Sequence, residues 1–274
     1  MTSNTVLRYP GGKSRAVKKM LPYFENPTVI VSPFFGGGAI EFALMNKHNC
    51  YVIANDKFEP LYNFWKCLKE NRDGVIEEVN KIYPINKEKF IECRKKICVN
   101  SVSNNDSESN NDSESIGDSV SNIERAACFF AVNRTSFSGS TLSGGYSEES
   151  AKTRFNANSI ERLKKINMDN IEFHNMDYEP FLEEYGERGV IYLDPPYYLD
   201  RNNKLYGKNG DMHEHFTHDN LCKVLEKYKN WIMNYNDSVK IREMYANYKI
   251  DEVDWSYGMN KSKKSSELVI SSNT

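Results

Sequence analysis

Val190-Ile191-Tyr192-Leu193-Asp194-Pro195-Pro196-Tyr197 is an apolar run that ends in a double-proline turn, and its reading decides the fold. Val, Ile, Tyr and Leu in succession signal a buried strand. Pro195 and Pro196 fix φ and remove two N–H donors, so the ladder cannot continue past Asp194. One carboxylate and one aromatic ring are left at the carboxyl edge of a sheet, where open α/β sheets bind ligands. A turn this stiff loses little loop entropy when it binds. Asp194 can accept one N–H, the Pro195 carbonyl has no ladder partner and can accept a second, and Tyr197 offers a face for stacking. The set suits a nucleobase with an exocyclic amine.

Outward from this turn the chain alternates. Upstream, strand patterns at 28–31 and 51–54 alternate with helix patterns at 38–47 and 60–70, the order of a parallel sheet with right-handed crossovers. Strand patterns at 171–173, 190–193 and 231–233 and helix patterns at 178–184 and 218–227 continue the alternation. Two strand-like runs, 248–253 and 267–271, close the chain with no helix between them and predict an antiparallel hairpin. Residues 61–165 interrupt the scheme with helical patterns and a long polar loop at 133–155. We expect an inserted subdomain there, with a catalytic domain formed by 1–60 and 166–274. Within the insert, 101–122 is almost devoid of apolar residues and reads as a disordered acidic loop.

The 274 residues carry a formal net charge of −2, but 101–122 holds five acids and no Lys or Arg, so the rest of the chain is mildly basic. That balance permits a polyanionic partner without identifying one. No apolar run is long enough to span a membrane and no signal-peptide pattern opens the chain, so a soluble intracellular protein is expected. The six cysteines show no Cys-x-x-Cys spacing, which argues against a disulfide framework or zinc ribbon and for reduced, mostly buried thiols.

Three further motifs carry chemistry. The turn Ser32-Pro33-Phe34-Phe35-Gly36-Gly37-Gly38-Ala39 lets a ligand approach the backbone at a helix start, although a tight turn needs glycine even without a ligand. Asp56, at the tip of the second strand, is placed for two ribose hydroxyls, with a helix cap for the segment from Phe58 as the alternative. Arg8-Tyr9-Pro10-Gly11-Gly12-Lys13-Ser14 precedes a helical pattern; Gly11, Gly12 and Lys13 suit a ligand carboxylate, and Ser14 alternatively serves as a helix cap. His213-x-His215-x-x-His218 has metal-like spacing but lacks partners, and a solvated loop ending in a Thr217 cap is the better reading. Aromatics from 197 to 206 with Arg201, Lys204 and Lys208 read equally as a lid over phosphates or a plain surface loop.

In this order the motifs resemble the Dam-type DNA adenine-N6 methyltransferases over nearly the whole chain. The resemblance implies a Rossmann-like class I methyltransferase sheet with a mostly helical target-recognition subdomain, S-adenosylmethionine as cofactor, no metal, and double-stranded DNA as partner. It implies that Asp194, Pro195, Pro196 and Tyr197 are catalytic. It assigns Tyr9, Gly11, Gly12, Lys13, Phe35, Gly36, Gly37, Gly38, Asp56, Asp177 and Asp194 to the cofactor, with Asp177 beside its adenine. Asn133, Arg134, Ser136 and Ser138 fall in a stretch similar to the family's DNA-contacting region. A cognate restriction endonuclease is a partner the resemblance admits. The expected reaction is transfer of a methyl group to the N6 amine of a flipped adenine. Methylation of RNA or of the cytosine N4 amine, a silent DNA-binding module and a nicotinamide-dependent oxidoreductase are the rival readings. The last rests only on glycines whose spacing is not Gly-x-Gly-x-x-Gly.

Overall fold

The computed structural model describes residues 5–9, 11–98, 120–198, 216–255 and 265–272. Its strands are β1 (Val29–Ser32), β2 (Tyr51–Asn55), β3 (Ile171–His174), β4 (Val190–Leu193), β5 (Trp231–Asn236), β6 (Lys249–Trp255) and β7 (Ser265–Ser271). They form one sheet in the order β3-β2-β1-β4-β5-β7-β6. β3, β2, β1, β4 and β5 are parallel, and β7 is antiparallel to both β5 and β6. The expected sheet with its closing hairpin is present.

The helices are α1 (Val17–Met20), α2 (Ala39–His48), α3 (Glu59–Glu70), α4 (Arg72–Ile82), α5 (Lys87–Cys98), α6 (Asn122–Thr135), α7 (Glu148–Thr153), α8 (Ala157–Lys165), α9 (Tyr178–Tyr185), α10 (His218–Leu225) and α11 (Val239–Met244). Strand residues alternate between two buried layers, because successive side chains leave opposite faces of a strand. Ile30, Tyr192, Ile232 and Val269 join one apolar cluster with α2, α3 and α6. Val31, Ile191, Leu193, Met233 and Leu268 join the other with α9, α10 and α11. The helices between β2 and β3 share the first cluster: Phe64 of α3 packs with Phe129 and Phe130 of α6, and Trp65 meets Phe35 beside the sheet.

Three local expectations are corrected, and one element is new. Residues 133–155 are not a long polar loop: α6 runs to Thr135, Ser147 caps α7 by accepting from the Ser150 amide, and buried Phe155 anchors the exit. Ser14 caps no helix; it lies in a 3-10 turn, Lys13–Arg15, and α1 stops at four residues because Pro22 follows. Thr217 does stand at the start of α10, but its side chain makes no capping hydrogen bond. The short helix α11, capped by Ser238, was not anticipated, because six residues are too few for a helical period to register. Five cysteines are buried and Cys98 is exposed. Most of the acidic loop, the residues Arg201, Lys204, Lys208, His213 and His215, and the side chain of Ser138 lie outside the described residues.

Candidate active site

Chain order reverses between β1 and β4, which are neighbours in the sheet. A sheet splits its crossovers to opposite faces at such a point and leaves a crevice beyond the strand ends. Here the crevice is a cavity of about 570 Å³ lined by the N-terminal segment around Tyr9 and Lys13, the glycine turn, Asp56, Asp177 and the Asp194–Tyr197 turn. Its size is that of a small-molecule site.

The glycine turn owes its shape to its neighbours. Gly36 and Gly38 have φ of 52° and 64°, and a Cβ on Gly38 would lie 2.3 Å from the Phe35 ring. Phe35 turns that ring into the core against Phe42, Trp65 and Phe173. Thr5 Oγ1 donates to the Gly37 carbonyl and the Tyr9 ring lies over Gly36, so the N-terminal segment roofs the turn. Buried Asn55 ties the strand tips together, donating to the Pro33 and Met176 carbonyls and accepting from the Met176 amide.

Asp56 lines the cavity at the tip of β2 and is not the cap of α3, whose N-cap position is Phe58 and carries no side-chain cap. Its carboxylate accepts from the Gly36 amide and the Phe58 amide, each at 2.9 Å, and it still faces the cavity. Burial raises its pKa to about 6, against those two hydrogen bonds. Asp177 stands at the rim, paired with Lys57 at 2.6 Å.

At the proline turn, Lys13 is buried, 3% exposed, and its Nζ donates to both Asp194 oxygens at 2.8 and 2.9 Å and to the Tyr197 hydroxyl at 2.7 Å. The Tyr197 hydroxyl in turn donates to Glu267 Oε2 at 2.6 Å, and its ring stacks on Tyr235. Lys13 Nζ lies 3.7 Å from the same Glu267 oxygen. Burial raises the Asp194 pKa, and the Lys13 charge and hydrogen bond oppose it. The carboxylate and the ring are therefore fixed before any ligand arrives. Sequence reading missed Glu267, whose signal was a lone acid in the otherwise apolar β7 segment Leu268-Val269-Ile270. Lys13, which the sequence reading paired with a ligand, lines the cavity and is engaged there with Asp194 and Tyr197.

The residues expected at DNA divide differently. Asn133 is buried and clamps the N-terminal segment, accepting from the Arg8 amide at 2.9 Å and donating to the Arg8 carbonyl at 2.6 Å. Arg134 is buried and donates to the carbonyls of Arg154 and Val6. Ser136 Oγ accepts from the Thr141 amide and donates to the Asn133 carbonyl inside the same turn. Among the described side chains of this stretch, Phe137 is exposed, 65% accessible. Around Arg134 stand Arg8, Arg154 and Arg162; burial first, then their charges, lower its pKa. No carboxylate among the described residues forms an ion pair with any of the four. Among the described residues no group of three or more His, Cys, Asp or Glu is arranged to hold a metal, and no helix is long and apolar enough to cross a membrane.

Comparison with known proteins agrees with this geometry. Residues 9–259 match the model of the D12 class N6 adenine-specific DNA methyltransferases. The chain is 24% identical over 210 residues to the Type II methyltransferase M.MjaIII of Methanocaldococcus jannaschii, covering 70% of this chain and 68% of that protein. It is 23% identical over 198 residues to the DNA N-6-adenine-methyltransferase of Escherichia phage P1, covering 70% of this chain and 24% of that protein. With a seven-stranded sheet of Rossmann-like order, a proline turn at its switch point and a family match from Tyr9 almost to the end, the chain belongs to the D12 class N6 adenine-specific DNA methyltransferases.

Proposed function

We propose that this chain transfers the methyl group of S-adenosylmethionine to the N6 amine of an adenine extruded from double-stranded DNA at a specific sequence. The observation that carries the reading is the locked set at the proline turn. Asp194 is held by Lys13 and Tyr197 by both Lys13 and Glu267, and among the described residues no donor is paired with the Pro195 carbonyl.

The residues fit the cofactor. Asp56 offers buried carboxylate oxygens to a ribose at the tip of β2, Gly36 to Gly38 let it approach the backbone, and Asp177 at the rim is in reach of an adenine amine. When bound, the cofactor supplies a methyl group on a sulfonium. The adenine N6 lone pair is conjugated with the ring, so the free amine is a weak nucleophile. Asp194 and the Pro195 carbonyl accept its two N–H bonds and turn the lone pair toward the methyl, as orientation and fixed dipoles lower the barrier. As the N–C bond forms, the sulfonium S–C bond would break to leave a neutral thioether, and one N6 proton must leave, for which the Asp194 carboxylate that holds the N–H is the acceptor. Extruding the base costs about a few kcal/mol, which stacking on Tyr197 offsets in part.

Residues 61–165 are proposed to recognise the target. Arg8, Arg154 and Arg162, gathered around the buried Arg134, form a cationic patch suited to DNA phosphates, and the exposed Phe137 follows Arg134 by three positions in the chain. Phe137→Ala is expected to weaken DNA affinity about tenfold, a stacking contact being worth roughly 1–3 kcal/mol, with cofactor affinity unchanged. Titrating labelled duplex and cofactor separately checks this; equal affinity for DNA would remove Phe137 from the interface. A cognate restriction endonuclease as partner is proposed from the likeness to a Type II methyltransferase alone.

The test of the whole reading is direct. The protein, incubated with unmodified duplex DNA and methyl-labelled cofactor, should yield labelled N6-methyladenine on digestion to nucleosides. Label in 4-methylcytosine, or in RNA and not in DNA, would overturn it.

A further inference from the structure

Glu41 is 2% exposed, lies in the first turn of α2 just past the glycine turn, and lines the cavity. Its Oε1 accepts from Ser32 Oγ at 2.6 Å. Three groups act on it: Ser32 from β1, Tyr192 from β4, and Asp194 from the proline turn. The charges of Glu41, Asp194 and Glu267 all act on the buried Tyr192 hydroxyl. Lys13 serves Asp194 at 2.8 Å and Glu267 at 3.7 Å. Among the described residues no Lys, Arg or His forms an ion pair with Glu41.

A buried carboxylate without a cation is costly to ionise, and a carboxyl kept in a ligand cavity under that cost is suited to a ligand that brings the missing charge. Resting on the cofactor reading above, we propose that Glu41 is the counter-charge for the α-ammonium of the cofactor's methionine end, and that its proton passes to solvent as the ligand seats. An ammonium can donate to the carboxylate, whereas a sulfonium has no N–H to offer, which selects the amino group. Burial holds the Glu41 carboxyl up at about 8, opposed chiefly by the Ser32 hydrogen bond, so in neutral solution it carries the proton. The ligand then binds the ionised form. Its affinity rises with pH toward about 8, because below that value a proton must first be displaced, and falls again once the ligand's own amino group loses its proton.

Calorimetry of the full chain, in buffers of different ionisation enthalpy, separates the cases with three ligands. S-adenosylmethionine and S-adenosylhomocysteine both carry the ammonium; 5′-methylthioadenosine lacks it. Near neutral pH the first two should release about one proton each and the third none. Glu41→Gln, which keeps the shape of the neutral carboxyl, should abolish the release and weaken the first two about tenfold or more, with methylthioadenosine affinity unchanged as a check on folding. Absence of release from the parent protein, release that persists in the variant, or equal weakening of all three ligands would each overturn the proposal. Failure of the parent protein to bind any of the three would overturn it together with the cofactor reading, which separates the two failures.

Discussion

Asp194→Ala is expected to lower the rate of methyl transfer by about 10²–10³ or more, the scale of removing a positioned electrostatic group from a reacting centre. On the proposed function Asp194 is the acceptor that orients the amine, and its side chain is a quarter exposed and lines the cavity. The substitution leaves Lys13 its bond to the Tyr197 hydroxyl and its proximity to Glu267, so the turn keeps a cation partner and the fold should survive. Asp194→Asn retains one acceptor oxygen while losing the charge, and its rate should fall between those of the parent and the alanine variant. Single-turnover transfer from labelled cofactor, with DNA and cofactor affinities measured alongside, separates chemistry from binding. A rate within a few-fold of the parent would end the assignment of Asp194 as a catalytic residue.

Lys13→Met should damage both stability and activity. Breaking a buried ion pair by removing one partner costs about 3–5 kcal/mol, and the lower end applies because Asp194 is partly open to the cavity. For a chain of this size about 3 kcal/mol corresponds to a fall in melting temperature of roughly 10 °C. The pH dependence has a definite sign. Asp194 already has a raised pKa, and without the Lys13 charge it rises further. A carboxyl with a folded pKa above its unfolded value favours folding when protonated, so the deficit is largest at high pH and shrinks as pH falls through the folded pKa. Adding Glu267→Gln removes the second carboxylate that Lys13 faces and should restore part of the stability, but not the activity. Melting curves across pH for the single and double variants test this; a deficit that grows on acidification would refute the role of Lys13.

The alternating pattern around 28–31, 51–54, 171–173 and 190–193 was enough to read a parallel sheet, because both faces of each strand are buried and apolar periodicity is a local property of the chain. Strand ends were read less well. β1 ends at Ser32, one residue beyond the apolar run, because Ser32 is buried by its bond to Glu41, a contact with no trace in hydropathy. Residues 133–155 read as a polar loop for a related reason: their Ser, Thr and Asn side chains are spent on local turns and caps, which look like solvent exposure in sequence. Asn133 and Arg134 likewise look like free recognition groups until their bonds to Arg8 and Val6 are known.

By itself the sequence determined the class of fold, the glycine turn and the proline turn, since strand periodicity, glycine at positive φ and the missing N–H of proline are properties of a residue and its neighbours in the chain. Only the tertiary structure decided which charges meet. Lys13 and Asp194 are 181 positions apart, and Tyr197 and Glu267 are 70 apart. They converge because the sheet places β7 beside β5, whose other neighbour is β4, while the N-terminal segment is clamped over the strand ends by Asn133. Pairing at that separation depends on strand order and loop closure, which no local window of residues encodes.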